Sequence, residues 1–340
     1  MQKAAIKHPE PGMRDYSLDN IRFFLIFSVV FAHILEVWSP FTGSKLLYRL
    51  IYSFHMPAFL FLFGCNARFS FKRIVFRWCF PYLIFQTAYL LFARFVLQER
   101  SDWNYGTPYW LLWYMMACVF YQLLLPLLDT ENKKKQVLIL GAAFALSLLI
   151  GFVDIIGYFL SLSRFFVFLP WFLLGYYCKK NGWLLPGFLS RKVRLSLLFG
   201  SAGAILLSLP FLCYVNLPDG LLYGSYSYAD CGGAVWMRLM VGFLALCWIV
   251  FLFVGIKPYL NKKLFLLTAI GQNTWPIFLL HGFVVKLLPI YGQSLLSSPW
   301  LIALLTCGIL LLFGNKLLSR GIYYIGFSWL EKLFQKKTNT

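Results

Sequence analysis

The sequence predicts an all-α, polytopic membrane protein with about ten transmembrane helices and both termini cytoplasmic. Three observations carry that expectation. Of the 340 residues, 60% are hydrophobic and only 13% charged, with mean hydropathy +0.71. A water-soluble domain carries roughly 25% charged residues. Long apolar runs recur from residue 20 to residue 318. They are continuous and not alternating, which suits helices in lipid and argues against a membrane barrel. The net charge of +19 sits in short clusters between those runs. That placement follows the excess of Lys and Arg in cytoplasmic loops and sets nucleic acid aside as a partner.

Each run reads as one helix. The first, 19–38, carries Arg22, His33 and Glu36. The second, 47–67, holds His55 and Pro57, and the third, 74–97, follows the basic cluster "RFSFKRIVFR" and contains Pro81. The fourth, 109–128, carries Trp113 and Tyr114, and the fifth, 136–153, follows three lysines at 133–135. The sixth, 158–178, contains Arg164 and Pro170, and the seventh, 194–214, follows Arg191 and Lys192. The eighth, 236–256, has Arg238 at its head. The ninth, 266–288, carries Asn273, Pro276, His281 and Lys286, and the tenth covers 299–318. Residues 1–18 form a cytoplasmic tail, 19–318 one transmembrane domain and 319–340 a basic tail. The last contains "GIYYIGFSWLEKLFQKK", aromatic and then basic, as an interfacial segment is.

Loop charge sets the orientation. Numbered alternately from the N-terminal tail, the odd loops hold 23 Lys and Arg and the even loops hold Lys45, Arg49 and Arg100. The odd side is therefore cytoplasmic. Cys231, in the long even loop 215–235, is expected outside the cell, and Lys134 inside it. The eight cysteines form no CxxC pair, and most lie in apolar runs, where Cys is a small core residue. The first run is too long for a secretory signal, carries Arg22 and lacks a cleavage site.

Ionisable residues in these runs are costly in lipid and face a cavity or a partner. Arg22 falls near the cytoplasmic face of the first helix, and His33 lies about 16 Å further out at 1.5 Å per residue. His55 and His281 fall in the outer halves of their helices, so three histidines share one depth. Arg164, Arg238 and Lys286 belong to the same outer part. A lone buried His is usually a packing residue; three at one depth, with arginines, point to a polar cavity. Arg22 reads either as a snorkelling anchor paired with Asp19 or as part of a site. Glu36, three residues after His33, either fixes its tautomer or is an interfacial carboxylate. Pro57, Pro81, Pro170 and Pro276 interrupt helices, as in broken helices that line substrate sites. The cluster of Arg68, Lys72, Arg73 and Arg77 reads either as a phosphate clamp or as topology plus anionic lipid.

Five segments, in order, resemble the membrane-bound acyltransferase-3 family, and within it the fucose 4-O-acetylase-like branch. They are "RDYSLDNIRFFLIFSVVFAHILE", "IYSFHMPAFLFLFG", "WYMMACVFYQLLLP", "LSRFFVFLPWFLLGYY" and "GQNTWPIFLLHGFVV". The chain departs from the family in having Gly64, Cys65 and Asn66 where Ser-Gly-Tyr is frequent. The resemblance implies transfer of an acyl group, usually acetyl, from cytoplasmic acetyl-CoA to a sugar hydroxyl. That hydroxyl belongs to a cell-surface or lipid-linked glycan of the cell envelope. The implied location is the bacterial plasma membrane, and no metal is implied. Ester formation needs a base for the hydroxyl proton and donors for the thioester oxyanion. His33 is the expected base, with Glu36 and His281 as the other candidate catalytic residues. His55, Arg164, Trp113, Tyr114 and Asn273 are expected around the acceptor or the oxyanion. Arg22, Arg73 and Arg77 are expected on the acyl-CoA phosphates. A transporter or flippase for a polar glycan-related substrate is the competing reading, because mid-membrane charges and broken helices serve transport as well.

Overall fold

The computed structural model describes residues 15–37, 43–99, 103–185, 187–214, 224, 226, 234–292 and 298–324. The described residues are helical, with no strand among them. The spans are α1 (Ser17–Val37), α2 (Ser44–Cys65), α3 (Phe71–Phe95), α4 (Trp110–Leu128), α5 (Lys133–Phe152), α6 (Phe159–Lys180), α7 (Arg191–Tyr214) and α8 (Ala234–Tyr259). A short α9 (Phe265–Gln272) precedes α10 (Thr274–Tyr291), and α11 (Pro299–Phe313) turns by 57° into α12 (Lys316–Tyr323). Among the described residues nine helices are long and apolar enough to cross a membrane alone, and the bent α11–α12 pair makes a tenth. The chain is a multi-pass helical membrane protein.

Several of the expected runs are not continuous helices; 194–214, for one, breaks at Ser208, two residues before Pro210. The run 47–67 begins at Ser44 and breaks at Ser53 and Phe54, just before Pro57. The run 266–288 breaks at Asn273, three residues before Pro276. Proline lacks an N–H and its ring crowds the carbonyl four residues back, so each break falls where the helix would otherwise clash. The run 299–318 ends at Phe313 because Gly314 leaves the helix and Asn315 starts a new one, its side chain accepting the Leu318 N–H. Cys231 and residues 325–340 of the expected interfacial tail lie outside the described residues.

Loop contacts respect the expected alternation of ends. On the basic side, Asn20 donates to the carbonyls of Leu260 and Lys262 at 2.7 and 2.9 Å. Lys257 lies 3.5 Å from Asp15. Lys180 pairs with Asp129 and with Glu131, the latter at 2.9 Å. The Lys180 ammonium hydrogen-bonded to Asp129 holds that carboxyl below the usual carboxylate range. On the opposite side, Arg49 donates to Leu212 O at 2.9 Å, and Leu160 N–H donates to Gly106 O at 2.6 Å. Arg238 donates to Gly224 O at 2.5 Å. Each contact joins helix ends or loops of one side.

The packing has two centres. A large apolar cluster gathers α2, α3, α4, α6 and α8 around Phe61, Tyr121 and Phe172. A second joins α1 to α10 and α11 through Val30, Ile34, Ile277 and Ile302. Two glycines make the α2–α6 contact possible: a Cβ on Gly64 would enter the Phe172 carbonyl, and one on Gly175 would enter the Phe61 carbonyl. Small residues let membrane helices approach backbone to backbone, where dispersion does the work that water-driven burial does elsewhere. Leu138, Phe199, Leu206 and Leu207, on α5 and α7, face outward, as side chains in contact with lipid do.

Candidate active site

His33 is held by a hydrogen-bonded carboxylate on its own helix. Glu36 follows by three residues, so both side chains leave α1 on one face. His33 Nδ1 lies 2.9 Å from Glu36 Oε2. A carboxylate only accepts, so Nδ1 carries the proton and the Nε2 lone pair is left to act. Tyr52 of α2 donates to the same Glu36 oxygen at 2.7 Å and lies 3.2 Å from His33 Nδ1. The Trp110 ring packs edge-on to His33 at 4.7 Å between centroids. Trp110 sits at φ 34°, in the left-handed region. That conformation costs a non-glycine residue about 1–3 kcal/mol and is sustained only by its surroundings.

The three intramembrane histidines do converge. His281 of α10 stacks against His33 with centroids 5.5 Å apart. His281 is fully buried, and its Nδ1 lies 2.7 Å from Ile277 O. Its Nε2 has no hydrogen-bond partner among the described residues. His55 lies 2.8 Å from Ile51 O through Nδ1 and meets the Tyr52 ring at 4.7 Å. A carbonyl only accepts, so both rings carry their proton on Nδ1. In that tautomer each offers a lone pair at Nε2. Of the two roles the sequence left to them, this geometry suits proton acceptance or hydrogen bonding to a hydroxyl better than donation to an oxyanion.

Two cavities meet at His33. The outer one, about 100 Å³, is lined by His33, Glu36, Tyr52, His55, Arg164 and Arg238, among others. Arg164 stands over the rings of Trp113 and Tyr158 at 5.3 and 5.1 Å, a cation–π geometry that helps to orient the guanidinium. The inner cavity, about 340 Å³, runs from His33 and His281 to Arg22, Arg68, Arg73 and Arg77. Its wall is aromatic: Trp78 meets Trp275 at 5.2 Å, and Tyr114 meets Phe278 at 5.4 Å. His33, Met56, Leu111 and Trp113 line both cavities and form the neck between them.

Most of the residues picked from sequence thus line one of these cavities. Asn273 does not. It lies at the α9–α10 break, donates to Ala269 O at 2.7 Å and accepts from Ser319 at 2.8 Å. These bonds close the end of α9 and tie it to α12, two turns from His281. Arg22 pairs with Asp19 at 2.7 Å and lines the inner cavity. Asp19 in turn accepts from Gln272 at 3.0 Å, which ties α1 to α9. Tyr52 and Trp110 were not picked. Tyr52 stands three residues before His55, at helical spacing, and that was the available signal. Lys286 was noted for its depth alone; it lies over the Trp110 ring at 5.2 Å, beside the same group.

A family model described as an acyltransferase domain matches residues 15–314. No curated protein and no solved structure matches the chain. The matched stretch contains α1 to α11, both cavities and the whole histidine group, and the chain belongs to the acyltransferase-3 family, as a multi-pass membrane acyltransferase.

Proposed function

We propose that this protein is an O-acetyltransferase that takes acetyl from cytoplasmic acetyl-CoA and esterifies a sugar hydroxyl of a cell-surface or lipid-linked glycan. The fucose 4-O-acetylase-like branch, named above by resemblance, fits this reading. The observation that carries it is the meeting of two cavities at His33, one with an arginine-lined mouth and one among polar outer groups. Loop charge makes the arginine mouth cytoplasmic. Arg22, Arg73 and Arg77 would hold the donor phosphates, and guanidinium forks suit phosphate oxygens better than ammonium. The pantetheine arm would lie along the aromatic wall and bring the thioester to the neck. The distance from Arg22 to His33 along α1, about 16 Å at 1.5 Å per residue, is comparable to the reach of that arm. Acetyl could then cross most of the membrane while CoA stays inside.

The acceptor enters the outer cavity, whose small volume fits the reacting edge of a sugar and not a whole chain. His33 Nε2 takes the hydroxyl proton while the oxygen attacks the thioester carbon. The C–S bond breaks, and the proton passes from His33 to the leaving sulfur. Glu36 and Tyr52 keep Nδ1 protonated and the ring oriented, and Glu36 stabilises the imidazolium that forms. Arg164 and the Trp113 indole N–H are the candidate donors to the oxyanion. His281 Nε2, adjacent and unpartnered, is the alternative base. The test is label transfer from acetyl-CoA to glycan by purified protein. The reading fails if folded protein shows no CoA-dependent ester formation with glycans of its own host.

A further inference from the structure

A third cavity opens beside the arginine mouth. It measures about 530 Å³ and is lined by Cys65, Asn66, Ala67, Arg68, Arg73, Tyr176, Lys179 and Lys180. Asn66, Ala67, Arg68 and Arg73 also line the inner cavity, so the two are contiguous. No carboxylate lines the third cavity. Lys180 is committed to Asp129 and Glu131. Arg68, Arg73 and Lys179 have no ion-pair partner among the described residues. Three cations thus face one space with an aromatic ring, Tyr176, at its wall. The volume lies within the range of about 300–1,000 Å³ usual for small-molecule sites.

We propose that this cavity is a second subsite for the donor, which takes its 3′-phosphoadenosine end and distinguishes CoA from dephospho-CoA. The proposal rests on the donor reading above and adds to it. If the thioester is at His33 and the pyrophosphate at Arg22, Arg73 and Arg77, the nucleoside lies beyond Arg73, away from the neck. The third cavity continues the inner one in that direction. Lys179 and Arg68 are the groups that would meet the 3′-phosphate, and Tyr176 offers a face to the adenine. The shared chemistry, a phosphate monoester, is also that of an anionic lipid headgroup, and the test separates the two.

The experiment measures binding of CoA, dephospho-CoA and adenosine 3′,5′-bisphosphate to purified full-length protein. It uses nanodiscs of neutral phosphatidylcholine, and then discs containing phosphatidylglycerol. One charge-assisted pair contributes about 1.5–3 kcal/mol, so CoA should bind about tenfold or more tightly than dephospho-CoA. Adenosine 3′,5′-bisphosphate should compete with CoA. Lys179→Gln should shrink the CoA preference and leave dephospho-CoA affinity nearly unchanged, and Lys179→Arg should keep the preference; Arg68→Gln, whose side chain also lines the inner cavity, should shrink the preference as well. Unchanged dephospho-CoA affinity also certifies that Lys179→Gln folds. Equal binding of CoA and dephospho-CoA by the unaltered protein would overturn the subsite and leave the donor reading standing. So would a preference that both Gln variants retain. A cavity that serves lipid would show the Gln variants losing phosphatidylglycerol association with no change in the nucleotide ratio, and that also overturns the proposal. Failure to bind CoA at all would overturn both readings.

Discussion

His33 has three neighbours that constrain it differently. Glu36 fixes the proton on Nδ1, Tyr52 completes that oxygen's hydrogen bonds, and Trp110 covers the ring. If His33 is the base, His33→Ala should cost about 10²–10⁴-fold in turnover, with folded protein still in the membrane. Near-normal turnover in that variant would move the role to His281. Glu36→Gln should cost less than His33→Ala, because an amide oxygen still accepts from Nδ1–H but carries no charge to balance the imidazolium. Tyr52→Phe should cost least, since it removes one donor and leaves the His33–Glu36 pair. Turnover of the three variants, measured side by side on equal amounts of folded protein, checks the order. At this scale the sequence was informative where charge met lipid: His33, His55, His281 and Arg164 stand out because such residues are expensive there. Tyr52 and Trp110 did not stand out in a chain that is 20% aromatic. Asn273 lies outside the lining of both cavities; a polar residue at a helix break serves the backbone as readily as a substrate.

The helices are positioned by contacts that tolerate little change. Gly64 and Gly175 face each other's helix across α2 and α6, and the atoms a Cβ would meet are backbone carbonyls. Backbone cannot swing aside as a side chain can, so Gly64→Ala and Gly175→Ala should each destabilise the fold. The expected cost is about 1–3 kcal/mol, the usual range for overpacking. Thermal unfolding in detergent, with Gly203→Ala as the control because a Cβ there meets nothing within 4 Å, measures it. An unchanged midpoint for Gly64→Ala would mean that the α2–α6 contact is looser than described. Continuous apolar runs were legible as spans because hydrocarbon demands about 20 apolar residues per crossing. The breaks at Ser53, Asn273 and Gly314 were less so. A proline marks that a helix is disturbed, but the residue at which the chain leaves the helix depends on which neighbours satisfy the freed groups.

Across the whole molecule, charge and contact agree on two ends. The basic ends of the helices meet one another, and so do the ends on the side poor in Lys and Arg. With Cys231 as the sole cysteine, an impermeant thiol reagent should label intact cells. With Lys134→Cys as the sole cysteine, it should label only after permeabilisation. The reverse pattern would invert the orientation and with it the side from which the donor enters. The spans themselves were readable in the chain; the meeting of the cavities was not. Nothing in one helix's spacing says that Arg22 and Arg77 share a space with His281, because that depends on how α1, α3 and α10 pack. The measurement that tests the account most directly uses sealed proteoliposomes with purified protein whose basic face is outward. Labelled acetyl-CoA is added outside and a glycan acceptor is trapped inside. The account predicts acetyl ester on the trapped glycan, with CoA remaining outside and no signal from His33→Ala. Glycan that crosses the membrane without acetyl-CoA and without acquiring an ester would contradict it and favour a transporter.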